Sequence, residues 1–264
     1  MDALLKQTLS EQFREYVQTF AVPGKETPGP IVLKQEHTFD VCSIMERIAE
    51  KEEPDPQRRM LYWLCALFHD VSRFEQYRDF HTFSDDRSFD HGQRSAEIFL
   101  RDFEVPGLSE ADRRIVHDAV AFHNKLQLPS DMDAQTLGPA RAIRDADKIS
   151  ILKLLNRHFA HSLISEEETV NLSLPDSPGF TEELRRKVLH GEPVLYRLMR
   201  NVNDFKLNIF GWTADFNYPE SARILLEEKI YDRTRTFLPP SPELDEMCEV
   251  CMARLKRLAE GKRG

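Results

Sequence analysis

Apolar residues recur along this chain at intervals of three and four, and no stretch alternates strictly between apolar and polar as a half-buried strand does. That period predicts an all-α protein. A first amphipathic helix is expected over about residues 4–20, ended by the loop Pro23-Gly-Lys-Glu-Thr-Pro-Gly-Pro30. A second, about 34–51, carries His37, Val41, Ile44 and Ile48 at i, i+4, i+7 and i+11, which puts His37 on the buried face. Pro54 and Pro56 separate it from a central helix at about 57–69, whose run Met60-Leu-Tyr-Trp-Leu-Cys-Ala-Leu-Phe68 is almost wholly apolar. Residues 71–89 read as a long ordered loop in which Phe74, Tyr77, Phe80 and Phe83 are interleaved with polar residues. A helix then starts beside His91, capped by Asp90 or Ser88, and runs to about 102. Ser109-Glu-Ala-Asp112 resembles a capping box and opens a helix ending near His123. One more, about 137–160, carries Asp145 and Asp147. Beyond Pro175, helices are expected at about 180–190, 192–206, 219–235 and 242–260, with a break around Gly211-Trp212.

At 264 residues the chain has the length for one large domain or a domain with an appendage. The expected organisation is an N-terminal helix and loop over 1–30, a catalytic core over 31–165 and a helical extension over 166–264. That extension is expected to pack on the core as one domain, since the ~85–90 residues beyond Pro175 would alone form only a small core. No apolar run approaches the ~20 residues that span a bilayer, and Met1-Asp-Ala-Leu-Leu-Lys lacks the features of a signal peptide. A cytoplasmic protein without a membrane partner is the expectation. The formal net charge of −9 repels a nucleic-acid backbone, so a polyanionic ligand would need local cations or metals to hold it. Four cysteines fit a reduced compartment. Cys42 and Cys65 fall on apolar faces and read as core, while Cys248-Glu-Val-Cys251 lacks the second pair that a zinc site would need.

Candidate chemistry lies in six residues: His37, His69, Asp70, His91, His123 and Asp147. Imidazole and carboxylate are the usual ligands of divalent transition metals where no thiolate site is on offer. The pair His69-Asp70 ends the apolar run, and a charge at the end of a buried helix is costly unless paired or metal-bound. His117-Asp118 repeats the dipeptide, but His123 shares the apolar stripe of Val116 and Val120, whereas His117 shares a face with Arg113, Ala121 and Asn124. Asp145 and Asp147 lie about 200° apart around a helix, each with apolar neighbours, and periodicity does not choose between them. His81 is an alternative to His91. His158, His161 and His190 have no partner pattern and read as ordinary surface or interface residues.

The ordered set His37, Leu-Phe-His69-Asp70-Val-Ser-Arg73 and Asp145-Ala-Asp147-Lys148 resembles the HD-domain metal-dependent phosphohydrolases over roughly residues 31 to 160. Asp90-His91-Gly92 and Phe122-His123-Asn124 match the six-ligand branch of that superfamily, whose members hold two metals. The resemblance implies an HD-type helical bundle with extra C-terminal helices, and it selects Asp147 as the ligand, with Asp145 free to orient a histidine. One metal would take His37, His69, Asp70 and Asp147; the second would take His91 and His123, with Asp70 bridging and Asp90 supporting His91. The donor set does not distinguish Mn, Fe, Mg, Co, Ni and Zn. Arg73 matches the basic position that follows the dyad, and the resemblance implies that it clamps a phosphate oxygen, making Asp70 and Arg73 the catalytic pair. Lys125 and Lys148 are further substrate-binding candidates.

The chain has no phosphate-binding loop, nucleophile elbow or dinucleotide fingerprint, so its chemistry must come from metals. The expected function is metal-dependent hydrolysis of a phosphate ester, in a nucleotide or another small phosphorylated metabolite, by a metal-activated water. The alternatives are a di-iron oxygenase of the same superfamily and a non-catalytic metal-binding regulatory module.

Overall fold

The computed structural model describes residues 2–21, 24, 26–160 and 174–262. Among these residues all regular structure is helical and no strand occurs, so the chain is all-α. It divides into two compact units, residues 1–150 and 151–264.

The first unit holds α1 (Asp2–Gln18), α2 (Gly29–Glu52), α3 (Pro56–Phe68), α4 (Arg73–Phe80), α5 (His91–Asp102), α6 (Glu110–Ala121) and most of α7 (Ala134–Ala160). Helix α2 begins earlier than its apolar period suggests, because Pro30 falls in the first turn, where a missing N–H leaves no bond unmade. Helix α3 is capped by Asp55, whose Oδ1 accepts from the Gln57 backbone N–H at 2.9 Å. Its residues Leu64 to Phe68 are wholly buried, with α2 and α6 packed against it and α5 against α6. Helix α1 adds Leu9, Phe13 and Val17, at i, i+4 and i+8, to the same core. Pro139 lies inside α7 and cannot donate to the Gln135 carbonyl one turn earlier; Arg58 donates to that oxygen instead, at 3.1 Å.

Residues 71–89 are not simply a loop. They contain α4 and a 3-10 turn, Asp85–Arg87. The apolar period does not mark α4, whose wholly buried residues are one apolar, Phe74, and one polar, Gln76. The helix stops at His81, whose left-handed backbone (φ 52°) returns its N–H to the Tyr77 carbonyl.

In the second unit, helices span Glu182–His190, Val202–Gly211, Pro219–Glu227, Ile230–Thr236 and Pro242–Ala259. The helix expected over 192–206 is displaced. Gly191 (φ 72°) ends the preceding helix, and Asn201 caps the next by accepting from the Asp204 N–H at 2.9 Å. Asp204 is wholly buried and accepts from the Thr181 N–H and hydroxyl and the Arg200 N–H. The helix expected over 219–235 is split at Lys229, which also adopts a left-handed backbone (φ 50°). No helix among the described residues is long and apolar enough to cross a membrane.

Candidate metal centre

All six expected ligands lie in the first unit, where ends of α3, α5 and α6 meet the middles of α2 and α7. His37 comes from the middle of α2, and His69 and Asp70 from the turn that closes α3. His91 opens α5, His123 follows α6, and Asp147 lies on α7. His37, His69, Asp70, His91 and His123 are all buried. Asp147, with 19% of its side chain exposed, is the most open of the six.

Asp70 stands between two halves of the cluster. Its Oδ2 faces His37 Nε2 at 3.8 Å and His69 Nε2 at 3.7 Å, while its Oδ1 faces His91 Nε2 at 3.5 Å and His123 Nε2 at 3.9 Å. Asp147 Oδ1 closes the first half, 3.0 Å from His37 Nε2 and 3.7 Å from His69 Nε2. Within the halves, the His37 and His69 Nε2 atoms are 3.4 Å apart and those of His91 and His123 3.2 Å apart. Two groups of ligand atoms suited to a cation result, His37–His69–Asp70 and Asp70–His91–His123.

Hydrogen bonds on the far side of each ring decide which nitrogen faces inward with a lone pair. His69 Nδ1 meets the Ala66 carbonyl at 2.8 Å and His123 Nδ1 the Val120 carbonyl at 2.7 Å. A carbonyl cannot donate, so both rings carry their proton on Nδ1 and present an unprotonated Nε2 when neutral. His91 Nδ1 likewise donates to Asp85 Oδ2 at 2.6 Å, and His37 Nδ1 shares 2.9 Å with the Ser150 hydroxyl. Lone pairs at 3.2 Å with no proton between them repel unless a cation joins them, and this donor set suits a divalent metal.

Titration behaviour agrees. Burial holds the His37 and His91 imidazoles below their ordinary range, and burial with the neighbouring His91 and His69 lowers His123 to about 3. These rings are therefore neutral, as ligands must be. Burial would lower His69 as well, but Asp70 and Asp147 outweigh it and raise its pKa. Burial alone would raise the Asp70 carboxyl; Lys34, His69, Arg73 and His91 pull it far below the usual carboxylate range.

Two protein cations flank Asp70, one per oxygen. Arg73 donates through Nε to Oδ1 at 3.3 Å, with Nη2 3.2 Å from His91 Nε2. Lys34, which sequence reasoning missed, donates to Oδ2 at 2.7 Å. It sits one turn before His37 on α2, and that spacing was its only signal. Both cations also lie over the Phe83 ring, with centroid distances of 5.3 Å for Lys34 and 5.8 Å for Arg73.

The other expected residues fall differently. Lys125 pairs with the Asp90 carboxylate. Asp90 caps α5 through the Gln93 N–H and accepts from Asn124, so Asp85 rather than Asp90 supports His91. Ser150 rather than Asp145 holds His37 Nδ1, although Asp145 is wholly buried on the same helix. Lys148 is half-buried next to Asp147. His117 bonds its neighbour Asp118, at 2.7 Å, and His81 is an exposed helix terminator. His158 is buried beside Phe159 rather than on the surface, His190 is exposed, and His161 lies outside the described residues. All four cysteines are buried; burial raises the Cys248 thiol to about 12, and neither Cys248 nor Cys251 joins a metal-suited group among the described residues.

Neither the curated proteins nor the solved structures contain a match to this chain. Residues 35–152 match the family model described as the HD domain, an interval that contains the whole six-residue cluster. That match, and the His and Asp residues gathered around Asp70, are consistent with an HD-type metal site within residues 35–152.

Proposed function

We propose that this protein is a metal-dependent phosphohydrolase that cleaves a phosphate ester of a nucleotide or another small phosphorylated metabolite, and that it holds two metals. The observation that carries the reading is the division of Asp70, whose two oxygens each face a separate pair of imidazole nitrogens. In this reading His37, His69, Asp70 and Asp147 hold one divalent ion, and His91, His123 and the second Asp70 oxygen hold the other. Such a pair, when bound, supplies an activated water and neutralises charge on the phosphoryl oxygens.

The rest is work for the chain's own side chains. Neutral His37, His91 and His123 accept a cation without first losing a proton. Arg73 and Lys34 approach Asp70 from opposite oxygens and carry the positive charge that would receive and orient a phosphate oxygen. The net charge of −9 favours a small phosphorylated molecule over a nucleic acid.

The test is elemental analysis of protein purified without added metal, run with a panel of phosphomonoesters and phosphodiesters. The expected result is metal-dependent phosphate release that Asp70→Ala abolishes together with metal binding and that His117→Ala leaves intact. Iron-dependent O₂ consumption with no release from any ester would replace this reading with the oxygenase one.

A further inference from the structure

Of the four clustered histidines, His91 alone has a carboxylate at its outward nitrogen, Nδ1, among the described residues. His69 and His123 bond backbone carbonyls three residues behind them in the chain, and His37 bonds a serine hydroxyl on α7. His91 Nδ1 is 2.6 Å from Asp85, which belongs to the short 3-10 turn between α4 and α5 and to neither helix. Asp85 is also a junction. Its Oδ1 accepts from Arg73 Nη1 at 3.1 Å and Gln76 Nε2 at 3.2 Å. Its Oδ2 accepts from Asn124 Nδ2 at 3.2 Å and the His91 backbone N–H at 3.4 Å besides the ring. Donors from α4, α5 and the turn after α6 thus converge on one carboxylate, and wholly buried Gln76 anchors it further by bonding Ser88 Oγ at 2.7 Å.

We propose that Asp85 is the positioning residue of the second half of the centre: it fixes the His91 proton on Nδ1, aims Nε2 at Asp70 Oδ1 and His123, and so sets the affinity of that half. The proposal rests on the two-metal reading above and concerns what the second ion requires. A carboxylate behind a ligating imidazole fixes its tautomer and makes the inward nitrogen more basic, and losing such a partner costs metal affinity about 10–100-fold. The first half has no equivalent dependence on this turn, since His37 and His69 take their Nδ1 bonds from Ser150 and Ala66.

Cobalt(II) titrations against a competing chelator, on the full chain, test this with Asp85→Ala, Asp85→Asn and Asp90→Ala. Wild-type protein should take two ions. Asp85→Ala should weaken one of them about 10–100-fold and leave the other unchanged. Asp85→Asn, which keeps an acceptor but no charge, should fall between, and it carries the test if the alanine variant does not fold. Asp90→Ala, which loses a helix cap and a surface ion pair, should keep both affinities. Nitrogen-15 spectra of the metal-free protein give a second readout: His91 should carry its proton on Nδ1 in the wild type and become a mixture of tautomers in Asp85→Ala. Two unchanged affinities in Asp85→Ala, or a wild-type His91 protonated on Nε2, would overturn the proposal. A wild type that takes a single ion defeats the two-metal reading instead, and the tautomer measurement alone then decides the role of Asp85.

Discussion

Arg73 makes more bonds than a simple substrate clamp needs. Its Nε meets Asp70, and its Nη1 donates to Gln76, Asp85 and the Phe83 carbonyl at 2.6, 3.1 and 2.6 Å. Only Nη2 remains turned toward the cluster, beside His91. The guanidinium is thus held rigid before any substrate arrives, the condition under which a charged donor stabilises developing negative charge most strongly. Arg73→Ala is expected to lower phosphate-ester turnover about 10²–10³-fold with metal content unchanged, measured by steady-state kinetics and elemental analysis on the same preparation. Arg73→Lys should recover part of that loss, because an ammonium has the charge but not the planar fork that reaches Asp70 and Asp85 together. Unchanged turnover in Arg73→Ala would remove it from the machinery.

Near the centre, the first turn of α5 packs closely against the end of α6 and the turn after it. A Cβ added at Gly92 would lie 2.5 Å from Asn124 Oδ1, 2.9 Å from its Cγ and 3.0 Å from the Ala121 carbonyl. Glycine is thus required here for contact, and its backbone is ordinary helix. Asn124 cannot simply turn aside, because its Nδ2 holds both Asp85 and Asp90. Gly92→Ala should therefore cost about 1–3 kcal/mol in urea unfolding, as overpacking does. In an Asn124→Ala background the same substitution should cost less, a non-additivity that a double-mutant cycle reads directly. Equal cost in both backgrounds would place the clash elsewhere.

For the molecule as a whole, the buried histidines tie stability to pH. His37, His91 and His123 have folded pKa values below the ordinary 6.5, so just below that pH the unfolded chain binds protons that the folded chain does not, for His123 down to about 3. Their contribution is complete above about 6.5 and is lost as pH falls through each folded pKa, which for His123 is about 3. His69, shifted upward, works in the opposite direction, one group against three, while the depressed carboxyls of Asp70 and Asp147 add their loss only below the usual 3.8. Metal-free protein should therefore show a urea midpoint that declines from pH 7 to pH 5, and a saturating divalent ion should raise it by an amount that shrinks as protons compete for the same nitrogens. A flat midpoint over that range would contradict the assignment. By itself the sequence determined the helical class, because the 3.6-residue period is a local property of the chain, and it offered the six candidate residues that the fold gathers around Asp70, with Asp147 preferred to Asp145 by family resemblance and not by period. The displaced helix at Val202–Gly211 and the break at Lys229 were beyond it, since a buried carboxylate and a left-handed residue set them and no period records either. Lys34 and Asp85 were beyond it for a related reason. Each is a common surface type whose role comes from what lies opposite in space, 36 residues away for Lys34 and Asp70, while Asp85 and Asn124 are 39 apart. Only the tertiary structure decided that Asp70 stands between two pairs of imidazoles, because that depends on where three helix ends meet the middle of α2 rather than on the order of their residues.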